Sequence, residues 1–300
     1  MTYQEIYQQG MEQLMQADIQ EAGLDARLLL EWCCGTDRNT LLVHGERSVS
    51  PEEYERYRVC IVERKKHVPL QYITGEQDFM GLTFAVNRNV LVPRQDTEIL
   101  VEEAMRYLHD GMRILDMCTG SGCILISLLH YSNDCTGVGV DLSEEALQVA
   151  KENAERILNQ KKKTACEALC VPDESEQNVF WVCSNLFERL DSDEKFDIIV
   201  SNPPYIRTGV IDTLMPEVKE HEPRLALDGQ EDGLFFYREI IARATTYLNR
   251  EGMLLVEIGY DQGEEVRALM ENAGYTEVDV VKDFAGLDRV VHGVYSANRR

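Results

Sequence analysis

No apolar run among the 300 residues approaches the ~20 needed to span a bilayer. A membrane protein of the helical kind is therefore not expected. The opening Met1-Thr2-Tyr3-Gln4-Glu5 lacks the charged segment and apolar stretch of a secretory leader, so a cytoplasmic chain is expected. Basic residues are scarce: 30 Lys and Arg stand against 53 Asp and Glu, a formal net charge of -23. Such a chain repels itself and the phosphate backbone, which argues against non-specific nucleic-acid binding. The acidic surface suits a basic protein partner or serves solubility. The nine cysteines are odd in number and make no zinc spacing. Cys33 and Cys34 are adjacent, and Cys166 and Cys170 have no second pair. Reduced thiols and no metal site are the expectation. Internal repeats and low-complexity tracts are missing as well.

What is present is enough for a globular chain of one or two domains, at 44% hydrophobic and 28% charged residues. Residues 1 to about 70 read as helices. Tyr3, Ile6, Tyr7, Met11, Leu14 and Met15 recur on one helical face. A second helix runs from Leu24 to Cys34 and stops at Gly35. A third covers Arg38 to His44, and Ser50-Pro51-Glu52-Glu53 is a capping box opening a fourth, to about Lys66. This bundle either engages a partner or is a structural appendage. Phe79 to Val86, turned by Asn87-Arg88-Asn89 into Val90-Leu91-Val92, reads as a hairpin. The expected division is a helical domain over 1–74, a hairpin linker over 75–92 and an α/β domain over 93–300.

From Pro93 strands and helices alternate, the pattern of a parallel sheet covered on both faces. A helix is expected from about Ser143 to Leu158, and the polar segment 159–178, with Lys161-Lys162-Lys163, reads as an exposed loop. Phe196-Asp197-Ile198-Ile199-Val200 reads as a buried strand. Asn202-Pro203-Pro204-Tyr205 follows it, and the two prolines forbid both strand and helix. Asn202 is thus held at a strand end, where open α/β sheets bind ligands. Its side chain offers one acceptor and two donors, suited to an amide or an exocyclic amine. The plainer alternative is a loop stop with a core tyrosine.

The turn Cys118-Thr119-Gly120-Ser121-Gly122 sits between a strand and a helix, where glycines let backbone approach a ligand. The dinucleotide fingerprint would need a further glycine where Leu125 stands, and no Gly-Lys-Ser/Thr follows for a phosphate loop. Asp116, at the end of the preceding strand, is expected to reach the same ligand. Asp141 ends the next strand and can accept two ribose hydroxyls, although a helix cap is the alternative. Asn185 ends a third strand; its carbonyl can accept an adenine amine, or it is a turn residue. Three polar strand ends without a phosphate loop describe an adenosine site, and S-adenosylmethionine is the expected ligand.

With these motifs the chain resembles the bacterial release-factor glutamine methyltransferases of the PrmC/HemK type over essentially its full length. The residues carrying the resemblance are Gln71-Tyr72-Ile73-Thr74-Gly75-Glu76, Phe79-Met80-Gly81-Leu82, Pro93-Arg94 with Thr97-Glu98, and Thr119-Gly120-Ser121-Gly122. Asn202-Pro203-Pro204-Tyr205, His221-Glu222-Pro223 and Asp283-Phe284-Ala285-Gly286-Leu287-Asp288-Arg289 complete the set. The Asn-Pro-Pro-Tyr loop is shared by several amino-methyltransferases and marks chemistry; the other blocks mark the family. The chain departs from the family's glycine at Cys118 and from its aspartate at Asn185.

The resemblance implies a Rossmann-like class I methyltransferase domain behind a helical bundle. It implies methyl transfer from S-adenosylmethionine to the side-chain amide nitrogen of the glutamine in the Gly-Gly-Gln motif of class 1 peptide chain release factors. Asn202, Pro203 and Tyr205 would be catalytic, with Pro204 joining them in substrate binding. Cys118, Thr119, Gly120, Ser121, Gly122, Asp141, Asn185, Leu186 and Asn202 would hold the cofactor, and Arg94 and Thr97 would shape its methionine end. Glu222 and Arg224 read as a surface ion pair beside this loop. Competing readings are a glutamine methyltransferase of a ribosomal protein, an adenine-N6 DNA methyltransferase, and a non-catalytic S-adenosylmethionine sensor. The acidic balance and the lack of a basic target-reading domain disfavour DNA.

Overall fold

Side-chain caps set the first helices. The structure, a computed structural model, describes residues 1–169 and 178–296. Helix α1 (Tyr3–Met15) begins where the Thr2 hydroxyl accepts the Glu5 N–H and the Glu5 carboxylate accepts the Thr2 N–H. Helix α2 (Ala22–Cys34) ends at Gly35 in the left-handed region. Asp37 caps α3 (Arg38–Val43), and the expected Ser50–Glu53 box opens α4 (Pro51–Arg64). A fifth helix, α5 (Leu70–Thr74), has only five residues, too few for a periodic signal.

The chain forms two compact units, Met1–Glu76 with Leu214–His221, and Gln77–Thr213 with Glu222–Arg300. In the first, Ile6 and Leu14 of α1, Leu29 and Leu30 of α2, and Tyr57 and Ile61 of α4 form one apolar core. Arg64 is buried there. It donates to Asp25 at 2.7 Å, to Glu217 at 2.9 Å and to the Val68 carbonyl at 3.2 Å, so its charge is met on both sides.

The hairpin lies earlier than turn chemistry suggested. Strands β1 (Glu76–Phe79) and β2 (Leu82–Ala85) are joined by Met80 and Gly81, whose φ angles are 52° and 71°. Two positive φ values suit a two-residue hairpin turn, but a methionine rarely adopts one. Residues 90–92 form no strand. Phe79 and Phe84 are buried in a core of the second unit.

A single 3-10 turn (Gln95–Thr97) leads into α6 (Glu98–Met105). There follow β3 (Arg113–Met117), α7 (Cys123–Tyr131), β4 (Thr136–Asp141) and α8 (Glu144–Leu169). The Ser143 hydroxyl accepts the Ala146 N–H at the start of α8. That helix continues to Leu169 through part of the stretch expected as a loop. Lysine, alanine, glutamate and leucine are good helix formers, and their polarity does not stop a helix. The remainder of that expected loop lies outside the described residues.

Strands β5 (Val179–Cys183) and β6 (Phe196–Ser201) come next. Short helices α9 (Thr208–Ile211) and α10 (Pro216–His221) follow. Then α11 (Phe235–Tyr247), β7 (Leu248–Glu257), α12 (Gly263–Asn272), β8 (Tyr275–Lys282) and β9 (Asp288–Tyr295) complete the chain.

The seven-stranded sheet runs β5-β4-β3-β6-β7-β9-β8. The first five are parallel, and β9 pairs antiparallel with both β7 and β8. Alternate residues feed two cores. Ile114, Ile198, Val200 and Leu255 belong to one, and Leu115, Ile199, Leu254 and Val256 to the other. Strand order reverses between β3 and β6, which opens a crevice at their carboxyl ends.

Candidate active site

That crevice is a cavity of about 450 Å³. Cys118 to Ser121 follow β3, Asp141 ends β4, Asn185 and Leu186 follow β5, and Asn202 and Pro204 follow β6; all line it. Arg94 and Thr97 form part of another wall. The strand ends named from the sequence are thus brought together in one unit.

Gly122 is the exception in its turn. It is absent from the lining, and a Cβ added there would lie 2.8 Å from Ile126 Cδ1 and 3.1 Å from Trp181. Its small size therefore serves helix packing against the sheet. Gly120 differs: an added Cβ meets nothing within 4 Å, so its backbone borders open space. Cys118 takes φ 64°, in the region that favours glycine. This explains why glycine suits the position, and the cysteine bears a local backbone cost instead.

Asp141 is clamped. Its Oδ2 accepts the Gly120 N–H at 2.8 Å and its Oδ1 the Ser143 N–H at 2.9 Å. Burial pushes its carboxyl up, opposed by those backbone hydrogen bonds. A carboxylate offers about four lone-pair positions, so two remain. Asn185 is exposed, and its amide donates to Glu188 at 2.8 Å. That bond leaves its carbonyl oxygen as the open acceptor.

Asp116 does not reach the cavity. It is fully buried in β3, accepts the Thr119 hydroxyl at 2.6 Å, and has its Oδ1 without a hydrogen-bond partner among the described residues. Burial raises its carboxyl to about 7. Its role is beneath the turn, fastening Thr119.

The Asn-Pro-Pro-Tyr loop divides its work similarly. Asn202 donates from Nδ2 to the Thr97 hydroxyl at 3.2 Å. Pro203 and Tyr205 are not among the lining residues. Tyr205 packs against the core, and its hydroxyl points to Glu257 at 3.4 Å. Burial, then the Glu257 carboxylate, push its phenol up.

Glu222 corrects an expectation. Its side chain is 1% exposed and pairs with Arg94 at 2.6 Å; Arg224 instead faces Asp228 at 3.5 Å. The Glu222–Arg94 pair fixes a cationic group at the cavity wall. Glu257 and Gln262, both buried, were missed as neighbours of the loop. The run Glu257-Ile258-Gly259 at a strand end was the available signal.

The chain is similar in sequence to proteins of known family. A model described as the PrmC N-terminal domain matches residues 5–75, and one described as a methyltransferase domain matches 108–168. A release factor glutamine methyltransferase of Geobacter sulfurreducens is 41% identical over 93% of this chain and 92% of its own. This chain belongs to the release factor glutamine methyltransferases. Another member, from Caulobacter vibrioides, is 42% identical over 94% of this chain and 93% of its own. Among solved structures, a methyltransferase from Pyrococcus furiosus covers 80% of this chain and 98% of its own, at 15% identity and a TM-score of 0.51. That likeness concerns the fold, which is the class I methyltransferase arrangement. Among the described residues, no helix is long and apolar enough to cross a membrane.

Proposed function

We propose that this family member transfers a methyl group from S-adenosylmethionine to the side-chain amide nitrogen of the glutamine in the Gly-Gly-Gln motif of class 1 release factors. The observation that carries the reading is Asn202. Its Nδ2 is anchored on Thr97 while it lines the cavity beside three other strand ends, so its carbonyl oxygen is free to accept.

The residues fit the cofactor. Asp141 retains two acceptor positions for the ribose hydroxyls, and the Asn185 carbonyl is open to the adenine amine. The bare backbone at Gly120 allows close approach, with Cys118, Thr119, Ser121 and Leu186 beside it. Arg94, steadied by Glu222, offers a cation to the carboxylate of the methionine end. When bound, S-adenosylmethionine supplies a methyl already activated on a sulfonium.

The difficulty then lies with the amide nitrogen, whose lone pair is delocalised and whose protons no ordinary base removes near pH 7. Asn202 Oδ1 accepts one substrate N–H, and its second amide hydrogen reaches the substrate carbonyl. The Pro203 carbonyl accepts the other N–H. Two acceptors aim the nitrogen and stabilise the positive charge that develops on it. Pro204 and Tyr205 hold this loop stiff, and the helical unit and the segment Leu214–His221 engage the release factor.

Labelled S-adenosylmethionine offered with release factor, its Gly-Gly-Ala variant and duplex DNA tests the reading. Label is expected on the intact release factor alone. Asn202→Ala should lower kcat by about 10²–10³. Label on the Gly-Gly-Ala variant, or on DNA, would overturn the substrate; near-normal turnover by Asn202→Ala would overturn the mechanism.

A further inference from the structure

The block Asp283-Phe284-Ala285-Gly286-Leu287-Asp288-Arg289 has no part in the chemistry so far. It joins β8 to β9, and the strand register places it. Glu257, the last residue of β7, pairs with Val290, and Lys282 pairs with Asp288. The tip therefore emerges beyond the carboxyl ends of the parallel strands. Asn202 leaves β6 at that same edge.

The tip is tightly bonded. The Asp283 N–H donates to the Leu287 carbonyl at 2.8 Å, and the Asp283 carbonyl accepts the Gly286 N–H at 2.9 Å. Asp283 Oδ1 accepts the N–H groups of Ala285 and Leu287 at 2.9 and 3.0 Å. Its Oδ2 meets the Arg289 guanidinium at 3.1 Å, and the same nitrogen meets Asp96 at 3.1 Å. Asp96 precedes Thr97, which lines the cavity and holds Asn202. Two ion pairs thus brace the tip against the cavity wall.

Phe284 stands on this turn at 95% exposure, the most exposed large apolar side chain among the described residues. Nothing of its own chain covers the ring. Leu287 is exposed beside it. Tyr260, also exposed, follows β7 at the same edge, where the Ile258 N–H donates to the Arg289 carbonyl at 2.9 Å. Exposed Leu225 and Phe235 line the cavity itself. Scattered apolar side chains are ordinary on a surface, but a row along one edge beside a site marks a contact. A net charge of -23 disfavours phosphate-bearing occupants, whether nucleic acid or anionic lipid.

The occupant follows from the geometry of entry. A glutamine side chain reaches Asn202 only if the polypeptide that carries it lies across this edge. The two glycines before that glutamine offer no side chains to grip, so the hold must come from surfaces farther out. We propose that Phe284 is a docking anchor for the release factor, its ring entering an apolar cleft of that protein while the glutamine occupies the cavity. This rests on the substrate reading given above. Leu287 and Tyr260 flank the ring and shield it from water, as neutral contacts do around an aromatic anchor.

The test compares binding with turnover in the full chain. Phe284→Ala removes a ring that supports nothing in its own fold, so the melting temperature and the S-adenosylmethionine dissociation constant should stay as in the wild type. The dissociation constant and the KM for release factor should rise about tenfold or more. The kcat at saturating release factor should remain within about twofold, the pattern of lost uniform binding. Phe284→Leu should recover most of the affinity, and Phe284→Asp should lose more than Phe284→Ala.

Release-factor affinity and KM unchanged in both Phe284→Ala and Phe284→Asp overturn the proposal. A fall in kcat or in cofactor affinity at unchanged release-factor KM overturns it as well, because the tip would then serve the cavity. So does a wild-type dimer that Phe284→Asp dissociates without effect on release-factor binding, since the occupant would be a second copy. A wild type that binds release factor through Phe284 yet leaves it unlabelled defeats the functional reading and leaves the docking role supported. A wild type that neither binds nor labels release factor overturns both.

Discussion

Gln262 holds the main chain of Tyr205: its Nε2 donates to the Tyr205 carbonyl at 3.2 Å. The same nitrogen donates to the Gly233 carbonyl at 3.2 Å, and its Oε1 accepts the Gly259 N–H at 3.0 Å and the Tyr237 hydroxyl at 3.4 Å. A 4% exposed amide thereby fills all four of its hydrogen-bonding positions. Gln262→Ala strands the Tyr205 and Gly233 carbonyls and the Gly259 N–H, while the Tyr237 hydroxyl keeps the Glu257 carbonyl at 3.0 Å; leaving buried groups unpaired costs about 1–3 kcal/mol apiece before relaxation. The expected net loss is about 3 kcal/mol in urea unfolding, with kcat reduced and cofactor affinity little changed. A variant as stable as the wild type would show that the loop is held elsewhere.

Gly229 presses on the same point from another side. A Cβ added there would lie 2.7 Å from both Cα and the carbonyl carbon of Tyr205. These are backbone atoms and cannot rotate aside, so Gly229→Ala must displace the loop that follows Asn202. A misplacement near 1 Å commonly costs about 10² in rate. Steady-state kinetics should show that loss in kcat, while a titration with S-adenosylmethionine should show a near-normal dissociation constant. Weakened cofactor binding at normal kcat would contradict this assignment.

Much of this site was legible because its signals are local. A buried strand followed by two prolines identifies Asn202 as a strand end without any knowledge of neighbours, and Asp141 and Asn185 follow from the same alternation. What escaped were contacts between distant residues. Arg94 and Glu222 are 128 positions apart, and Gln262 and Tyr205 57. Nothing in the composition around Glu222 distinguishes a buried carboxylate from a surface one. The turn glycines looked equivalent, yet Gly122 packs against Trp181 and Gly120 borders the cavity. The hairpin was misplaced because Asn87 and Asn89 are stronger turn formers than Met80, whereas the structure imposes positive φ on Met80. Helix α8 outran its expected end because a lysine run was read for polarity and not for helix propensity.

Asp141 combines two duties. It accepts two backbone N–H groups and keeps acceptor capacity for a ribose. Asn at this position retains one acceptor and no charge, so Asp141→Asn should weaken S-adenosylmethionine binding by about one to two decades, the scale of a charged hydrogen bond. Isothermal titration measures this directly. Asp141→Ala should do the same and lower the melting temperature further than Asp141→Asn, since Asn keeps an acceptor for one of the Gly120 and Ser143 N–H groups and Ala for neither. Equal melting temperatures would mean that the clamp is not part of the fold's stability.

Asp116 makes stability depend on pH in a direction opposite to that of a salt-bridged carboxylate. Burial raises its folded-state pKa to about 7 from an ordinary 3.8, so the folded chain binds more protons than the unfolded chain between these values. Its contribution is greatest below the unfolded value and is lost as pH rises through about 7. Asp116→Asn keeps an oxygen for the Thr119 hydroxyl and removes the titration. The difference in melting temperature, variant minus wild type, should therefore grow in the variant's favour as pH is raised from about 5 to 8. The comparison cancels the general repulsion of a chain with net charge -23, because both proteins carry nearly the same remaining charge. A difference that stays flat across this range would mean that Asp116 titrates well below neutrality, with Thr119 and the helix behind it stabilising the ionised form.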